Sequence, residues 1–462
     1  MIRVEQFRDR TVLVFGLART GIAVARALEA GGAKAVAWDD GAQSRAEAQA
    51  AGLFLADPAT LDWAQLAALV LSPGVPLTHP APHPLVHAAR AAGVPVIGDV
   101  ELFAGSPARG SAPLVGITGT NGKSTTTALI GHLVATSGRE VAIGGNLGRA
   151  VLDLDPVPAS GAYVIELSSF QIDLTSTLAP DVAVLLNITP DHLDRHGNMV
   201  GYAAVKERLF ANQHAGQTAI IGVEDSWCQA IADRVEAGPQ RLLRLSTEGP
   251  VECGVYVLDG MLFDAIDGPP EKIVDLRTFS RLPGRHNWQN AAAAYAAARA
   301  LGIGRAAILD GLASFPGLAH RMELVAEIDG VRFINDSKAT NADAAAKALA
   351  AYPAIWWIAG GKAKAGGIES LVDFFPAIRR AYLIGDAAPA FAHTLAGRVA
   401  CAEVGDLAHA VAAAFADARR VPGDKPVVLL SPACASFDQF KDYEQRGDTF
   451  RALAAALGEG SA

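Results

Sequence analysis

Seven consecutive residues, Gly119-Thr120-Asn121-Gly122-Lys123-Ser124-Thr125, have the types and spacing that hold a polyphosphate. Glycine at 119 and 122 lets the backbone approach a ligand and take dihedrals closed to other residues. Free N–H groups opening the next helix would face the anion, Lys123 would reach the β- and γ-phosphates, and the Ser124 hydroxyl would hold Mg²⁺. Strict phosphate-loop spacing asks for glycine at 117, where Ile117 stands, so this is a shortened variant. A glycine-rich turn with a solvated lysine is the other reading. The flanking elements favour a nucleoside triphosphate site. Glu166 ends an apolar run beside this loop, where a Mg²⁺ ligand belongs, with helix capping as the alternative. His192, in Thr189-Pro190-Asp191-His192-Leu193-Asp194-Arg195-His196, also follows an apolar run and would ligate a metal or bind substrate, with a plain polar loop residue as the alternative. Lys206 reads from pattern alone as a solvated lysine.

These side chains need strands to present them. Residues 114–118 read as a strand entering the loop, and 126–135 as a helix leaving it. Strands are also expected at 163–165 and 182–188, with an amphipathic helix at 202–213 carrying Lys206. Gly144-Gly145-Asn146-Leu147-Gly148 is a turn that presents the Asn146 amide. Earlier in the chain, 12–15, the turn Gly16 to Gly21 and an Ala/Val/Leu helix form a βα unit, and a second strand, 35–38, ends in Asp39-Asp40. In a Rossmann half an acid there takes a ribose hydroxyl, but G-x-G-x-x-G needs glycine at 18 and finds Ala18. NAD, a nucleotide diphosphate with Thr20 donating to phosphate, and a structural turn all stay open. Residues 69–71 break into Ser72-Pro73-Gly74-Val75-Pro76, a rigid loop. A last short strand at 94–99 and a linker at 105–113 put the first domain boundary near residue 98.

Residues 218–280 alternate short strands with Gly/Pro/Asp turns and hold no chemical constellation. Asn287 and Asn290 share the first turn of an alanine-rich helix reaching Leu301, as caps or as ligands. A third unit opens near Gly317. Its strands at 331–334, 354–358, 381–384 and 426–430 each run into a Gly/Ser/Lys loop, which describes a doubly wound parallel sheet with its ligand edge at the strand C-termini.

Composition bounds the possibilities. At 462 residues the chain is too long for one core and suggests about three units. Net charge is −9, from 39 basic and 48 acidic residues with no basic block, which argues against a nucleic-acid surface. No run of about 18 apolar residues occurs, so no membrane span is expected. The first residues lack an apolar signal-peptide core. Cys228, Cys253, Cys401 and Cys434 lie far apart without metal spacing and read as reduced thiols, so a cytoplasmic location is expected.

Together these strings resemble the Mur ligases, ATP-dependent amide-forming enzymes of peptidoglycan synthesis. The resemblance rests on GTNGKST, ELSSFQ, NITPDHLDRHG, the Tyr202–Lys206 helix, the asparagines after His286, AHRME and NDSKATN, and it spans all three units. Leu430 to Phe440, then Tyr443 and Glu444-Gln445-Arg446-Gly447, resemble the members that add D-glutamate. Asp-Asn-Pro-Arg, carried by members that add the third amino acid, is absent.

The family fold is α/β in three domains, here expected at residues 1–98 (Rossmann-like, binding the UDP-substrate), 99–317 (a P-loop ATPase-type, mainly parallel sheet) and 318–462 (Rossmann-like and doubly wound, binding the amino acid). The resemblance implies UDP-N-acetylmuramoyl-L-alanine and D-glutamate as substrates, ATP and two Mg²⁺ ions as cofactors, and a monomer. Thr20, Asp39, Asp40, Ser72, Asn146 and Gln171 would contact the sugar nucleotide. Residues 119–125 (Gly119, Thr120, Asn121, Gly122, Lys123, Ser124 and Thr125) would hold the triphosphate, with Asn287, Asn290, Arg321 and Asp336 around the rest of the nucleotide. Ser124, Glu166, His192 and a carbamylated Lys206 would ligate metal, and Lys123, His192 and Lys206 would be catalytic. Lys338, Thr340, Lys364, Ser436 and Tyr443 match the glutamate pocket. Lys362 stands where some members have an acid, so it and Lys364 are both candidates for the glutamate carboxylate. Hinge closure would bring such residues together. Two other readings are a folylpolyglutamate synthase-like ligase, which shares the phosphate loop but not the SPACASFDQF end, and a non-catalytic nucleotide sensor, which has no use for Lys123, Glu166, His192 and Lys206 together.

Overall fold

Short apolar runs buried along their whole length become the inner strands, and the polar or glycine-rich residues after them become loops at one edge. The structure is a computed structural model that describes residues 1–279, 281–362, 367–421 and 425–459. Two compact units emerge, residues 1–315 and 316–462.

The first unit contains two sheets. Strands β1 (Thr11–Phe15), β2 (Lys34–Trp38), β3 (Leu66–Leu71) and β4 (Val96–Ile97) form a parallel sheet in the order β2-β1-β3-β4. The larger sheet holds β5 (Leu114–Thr118), β6 (Val141–Gly145), β7 (Ala162–Glu166), β8 (Val182–Leu185), β9 (Thr218–Gly222), β10 (Arg241–Ser246), β11 (Gly254–Leu258), β12 (Met261–Ala265) and β13 (Glu271–Asp275). Its order is β13-β12-β11-β10-β9-β8-β5-β7-β6, parallel from β11 to β6, with β12 and β13 added antiparallel. Strand β5 lies inside it, between β8 and β7, so the loops after β5, β7 and β8 emerge side by side. The phosphate loop, Glu166 at the end of β7 and the loop bearing His192 are therefore at one edge.

Helix packing holds that edge in place. The helix Lys123–Thr136 starts directly after Gly122, three residues before the expected start at 126. It packs on the helix Arg285–Ala300, in which every residue from Ala291 to Ala298 is buried. Alanine side chains let the two backbones come close.

In the second unit, β14 (Glu323–Ile328), β15 (Val331–Asn335), β16 (Ile355–Gly360), β17 (Ile378–Ile384), β18 (Cys401–Gly405) and β19 (Val427–Leu430) run in the order β14-β15-β19-β16-β17-β18. All neighbours are parallel except β14 with β15. Two apolar clusters cover its two faces, one with Ala345, Leu349 and Phe391, the other with Val411, Phe415 and Phe450.

Three expectations need correction. Residues 218–280 are not strands and turns alone, because Ser226–Glu236 is a helix capped by Asp225, with Cys228, Ile231, Ala232 and Val235 buried at helical spacing. The helix expected at 202–213 spans Met199–Glu207 and tightens into a 3₁₀ turn at Arg208–Phe210. Strands β14 and β18 were not anticipated: they lie at the two edges of their sheet, and half-exposed edge strands give a weaker apolar signal than inner ones. Among the described residues no helix is long and apolar enough to cross a membrane, and the four cysteines form no disulfide.

Candidate active site

Between the C-terminal ends of β1–β3 and the loops after β5–β8 lies a cavity of about 530 Å³, wholly within the first unit. Thr20, Asp39 and Ser72 line it from the small sheet; Lys123, Asn146, Gln171, His192 and Lys206 line it from the large one. Asp40 is not among the lining residues; it is exposed and lies 3.2 Å from His83 Nε2. Several of these groups also build the walls. Asp39 accepts from Leu17 N at 2.7 Å and Gly41 N at 2.7 Å, and Ser72 Oγ donates to Gly16 O at 2.6 Å. Gln171 closes a capping box with Ser168 and donates to the buried Asp99 at 3.3 Å. Burial lifts that aspartate to about 6.

The phosphate loop is shaped by its glycines. Gly119 (φ +148°) and Gly122 (φ +85°) take positive dihedrals, and a side chain at 122 would strike Asn290 Oδ1. Ser124 and Thr125 are buried in the first helical turn. Lys123 Nζ folds back on its own loop, donating to Gly119 O at 2.9 Å and Thr120 O at 2.8 Å. Thr120 Oγ1 lies 3.1 Å from the Tyr202 hydroxyl and accepts from Thr189 N at 3.0 Å. Asn121 N–H donates to Asn187 at 2.9 Å. Asn287 and Asn290 do not cap their helix, whose N-cap is Gly284. Instead Asn290 accepts from Thr126 at 3.2 Å and donates to Asn287, which donates to Pro283 O at 2.8 Å.

Lys206 corrects the reading of a solvated lysine. It is 1% exposed, donates to Gly119 O at 2.8 Å and to Thr118 Oγ1 at 3.3 Å, and its Nζ lies 4.8 Å from the Tyr202 ring centre. Burial first, then the charge of Lys123, pushes its pKa well below that of an ordinary lysine. Lys206 is covered by the end of β5, the phosphate loop and Tyr202, which the helical pattern of residues 199–207 alone does not reveal. Glu166 is also buried; Oε1 accepts from Asn146 Nδ2 at 2.6 Å, while Oε2 has no hydrogen-bond partner among the described residues. A buried carboxylate oxygen without a donor fits a cation. No group of three His, Cys, Asp or Glu side chains gathers there among the described residues. Mg²⁺ takes one or two carboxylates and fills its other positions with phosphate and water oxygens, so the single buried Glu166 carboxylate fits that ion.

His192 takes a left-handed backbone (φ +52°), opens the short helix Leu193–His196, and packs 4.8 Å from Phe170. His196 lies 2.9 Å from Ser169 Oγ, and burial drops its pKa to about 4.

The second unit arranges its own set. Asp336 is buried, accepts from Ser431 Oγ at 2.8 Å and Met322 N at 3.2 Å, and burial lifts it to about 7. Arg321 Nε is buried without a hydrogen-bond partner among the described residues. Lys338 Nζ lies 5.5 Å from the Tyr443 ring centre, Thr340 N–H donates to Lys338 O at 2.9 Å, and Ser436 is buried. Lys362 is exposed, and Lys364 lies outside the described residues. One residue had no expected role: Arg446 is 1% exposed and donates to Ser337 O at 2.8 Å, Ser337 Oγ at 3.0 Å and Cys434 O at 3.1 Å. It ties the loop after β15 to the loop after β19; the resemblance had marked the string Glu444 to Gly447 without giving Arg446 a role.

The Mur ligase middle domain model matches residues 117–298, and the model described as Mur ligase, glutamate ligase domain matches residues 320–434. A Caulobacter vibrioides protein named UDP-N-acetylmuramoylalanine--D-glutamate ligase is 57% identical, over 100% of this chain and 98% of its own. One of the same name from Phenylobacterium zucineum is 55% identical, over 100% of this chain and 99% of its own. Among solved structures, the UDP-N-acetylmuramate-alanine ligase of Thermotoga maritima matches with a TM-score of 0.58 at 16% identity, covering 98% of this chain and 100% of its own, a likeness of fold. Two domain models over most of residues 117–434, and relatives more than half identical from end to end, establish that the chain belongs to the Mur ligase family.

Proposed function

We propose that this chain uses ATP to join D-glutamate to UDP-N-acetylmuramoyl-L-alanine, a step in the making of peptidoglycan precursors in the cytoplasm. The observation that carries the reading is the single cavity in which Thr20, Ser72, Asn146 and Gln171 face the same space as Lys123 and Lys206. A sugar-nucleotide acid and a triphosphate would meet there.

A carboxylate is inert toward amines in water, so the terminal carboxylate of the acceptor first takes the γ-phosphoryl group of ATP. Like charges must approach, and each pair at 4 Å costs about 1 kcal/mol in water and several times that in a partly dry site. Lys123, the N–H groups of the phosphate loop and the helix N-terminus offset that repulsion and favour the transferring group. Glu166, Ser124, His192 and a carbamylated Lys206 would hold Mg²⁺, which supplies further neutralisation of phosphate charge when bound. A neutral amine is the form that takes up CO₂, and burial of Lys206 supports that reading. D-glutamate, held by Lys338, Thr340, Lys364, Ser436 and Tyr443, attacks the acyl phosphate through its amine and releases phosphate. Arg321, Asp336, Asn287 and Asn290 would bind the nucleotide. Domain boundaries at residues 98 and 317, and a monomeric state, belong to the same proposal.

The test is phosphate release with ATP, Mg²⁺ and both substrates, compared with each left out. The reading expects release that needs both and prefers D- over L-glutamate. No ADP and no lengthened product under those conditions overturns it.

A further inference from the structure

A run of polar side chains with no part in the chemistry above joins the phosphate loop to the helix Arg285–Ala300. Asn121 N–H donates to Asn187 Oδ1 at 2.9 Å, and Asn187 Nδ2 donates to Gln289 Oε1 at 3.0 Å and to Asn121 O at 3.3 Å. Gln289 Nε2 in turn donates to Glu224 Oε2 at 2.7 Å and to Leu186 O at 3.2 Å. The other oxygen of Glu224 accepts from Thr247 N at 2.8 Å and Thr247 Oγ1 at 3.1 Å. All these residues lie in the first unit.

A side-chain amide accepts at one end and donates at the other, and both rotations fill the same space. Asn187 and Gln289 in series therefore have two possible senses. A carboxylate accepts and does not donate. Glu224, at the shorter distance, and the Leu186 carbonyl on the same side thus draw the amino end of Gln289 toward themselves, which turns the Gln289 oxygen toward Asn187. Asn187 then gives its own amino end to Gln289 and leaves its oxygen for the Asn121 N–H. In the opposite sense the Asn187 amino group would face that N–H, two donors against each other, and the loop would shift.

We propose that Glu224 and Gln289 are positioning residues of the nucleotide site: the carboxylate sets the direction of a two-amide relay that keeps Asn121, and with it the phosphate loop, on its binding path. This rests on the reading that the loop binds ATP. Gln289 lies between Asn287 and Asn290 in sequence, so the relay also ties the loop to the turn that bears them.

Polarity makes the test specific. Asn187→Asp places an acceptor against the Gln289 oxygen. Gln289 must either stay, with two acceptors facing, or turn and face Glu224 with its oxygen. Adding Glu224→Gln relieves the shorter of the two contacts in conflict, because its amide can donate to the turned Gln289, and leaves only the longer contact to Leu186 O unmet. ATP affinity is read by calorimetry with ATP and Mg²⁺, without acceptor, so the result stands whichever acid the protein ligates. Loss of a hydrogen bond to a charged group predicts that Glu224→Gln weakens ATP binding by about threefold to tenfold and Asn187→Asp by more than about tenfold. The double variant then binds ATP at least about threefold more tightly than Asn187→Asp. Binding of the UDP-acceptor stays within about twofold of wild type throughout, which a general loss of structure would not allow. Gln289→Leu, which cannot carry the relay, gives no such recovery when Glu224→Gln is added. Penalties that add in the Asn187→Asp/Glu224→Gln double variant, or ATP affinities that all stay near wild type, overturn the proposal.

Discussion

Lys206 shows how far a residue's neighbours decide its chemistry. Its pattern in the sequence is that of a surface lysine, yet it lies under the phosphate loop with its Nζ on Gly119 O and Thr118 Oγ1. Replacing it by alanine removes the proposed carbamate. Turnover should fall by orders of magnitude and return in part when short carboxylates such as acetate or formate are supplied. Steady-state assays with and without those salts check this; a variant that is active without them removes the carbamate from the mechanism. Asp336 carries a different cost. Below pH 3.8 the folded and unfolded chains both hold its proton. From there to about 7 the unfolded chain gives the proton up and the folded one keeps it, so this group lowers stability as pH rises, and the loss is complete above about 7. A shift of that size in a fully buried group corresponds to about 4 kcal/mol at most. Asp336→Asn should therefore melt higher than wild type at pH 8, with the difference shrinking toward pH 5, while nucleotide turnover falls. A melting difference that does not change with pH contradicts the assignment. The phosphate loop and Glu166 were legible as residues because their types are chemically specific. The burial of Lys206 and Arg446 was not, since a lone cation is buried by tertiary packing that no local spacing encodes, and only the resemblance gave Lys206 a role.

At the scale of elements, strands and the loops after them were legible where an apolar run met a cluster of polar or glycine residues. The phosphate-loop strand β5 begins and ends at the expected residues, 114 and 118. The helix Ser226–Glu236 escaped because turn-forming residues surround it and its apolar face is narrow. Its cap does more than start a helix. Asp225 Oδ1 accepts from Cys228 N at 2.9 Å, and Oδ2 accepts from Ile188 N at 2.9 Å. One carboxylate thus holds the helix start and the chain that leads from β8 toward His192. Loss of an N-cap costs about 1 kcal/mol, and the second bond adds about as much again. Asp225→Ala should lower the urea-unfolding free energy by about 2 kcal/mol and reduce kcat with little change in KM for ATP. Asp225→Asn, which keeps one accepting oxygen, should lie between the two. A kcat unchanged beside the full loss of stability would show that the His192 loop keeps its place without this anchor.

Three sheets were foreseeable for the whole molecule, because the second and third each begin afresh with their own apolar runs after a stretch rich in glycine, serine and proline. How those sheets group was not, since contacts between distant segments leave no local mark. The small sheet and the large one share an apolar cluster that includes Val14, Val70, Leu102, Phe103, Tyr163 and Leu167, whereas the clusters of the second unit draw on residues after 316 alone. Residues 1–315 should therefore fold as an isolated fragment, and residues 316–462 as another, each with a cooperative thermal transition. The larger fragment keeps the whole cavity and should bind UDP-N-acetylmuramoyl-L-alanine as tightly as the full chain. It lacks Arg321 and Asp336, proposed above to bind the nucleotide, so its ATP affinity should be lower, and it lacks Lys338, Ser436 and Tyr443, proposed to hold D-glutamate, so it should form no amide. Calorimetry on the two fragments and the full chain separates these effects. A larger fragment that is folded yet does not bind the sugar nucleotide would move the acceptor site out of the cavity between β1–β3 and β5–β8.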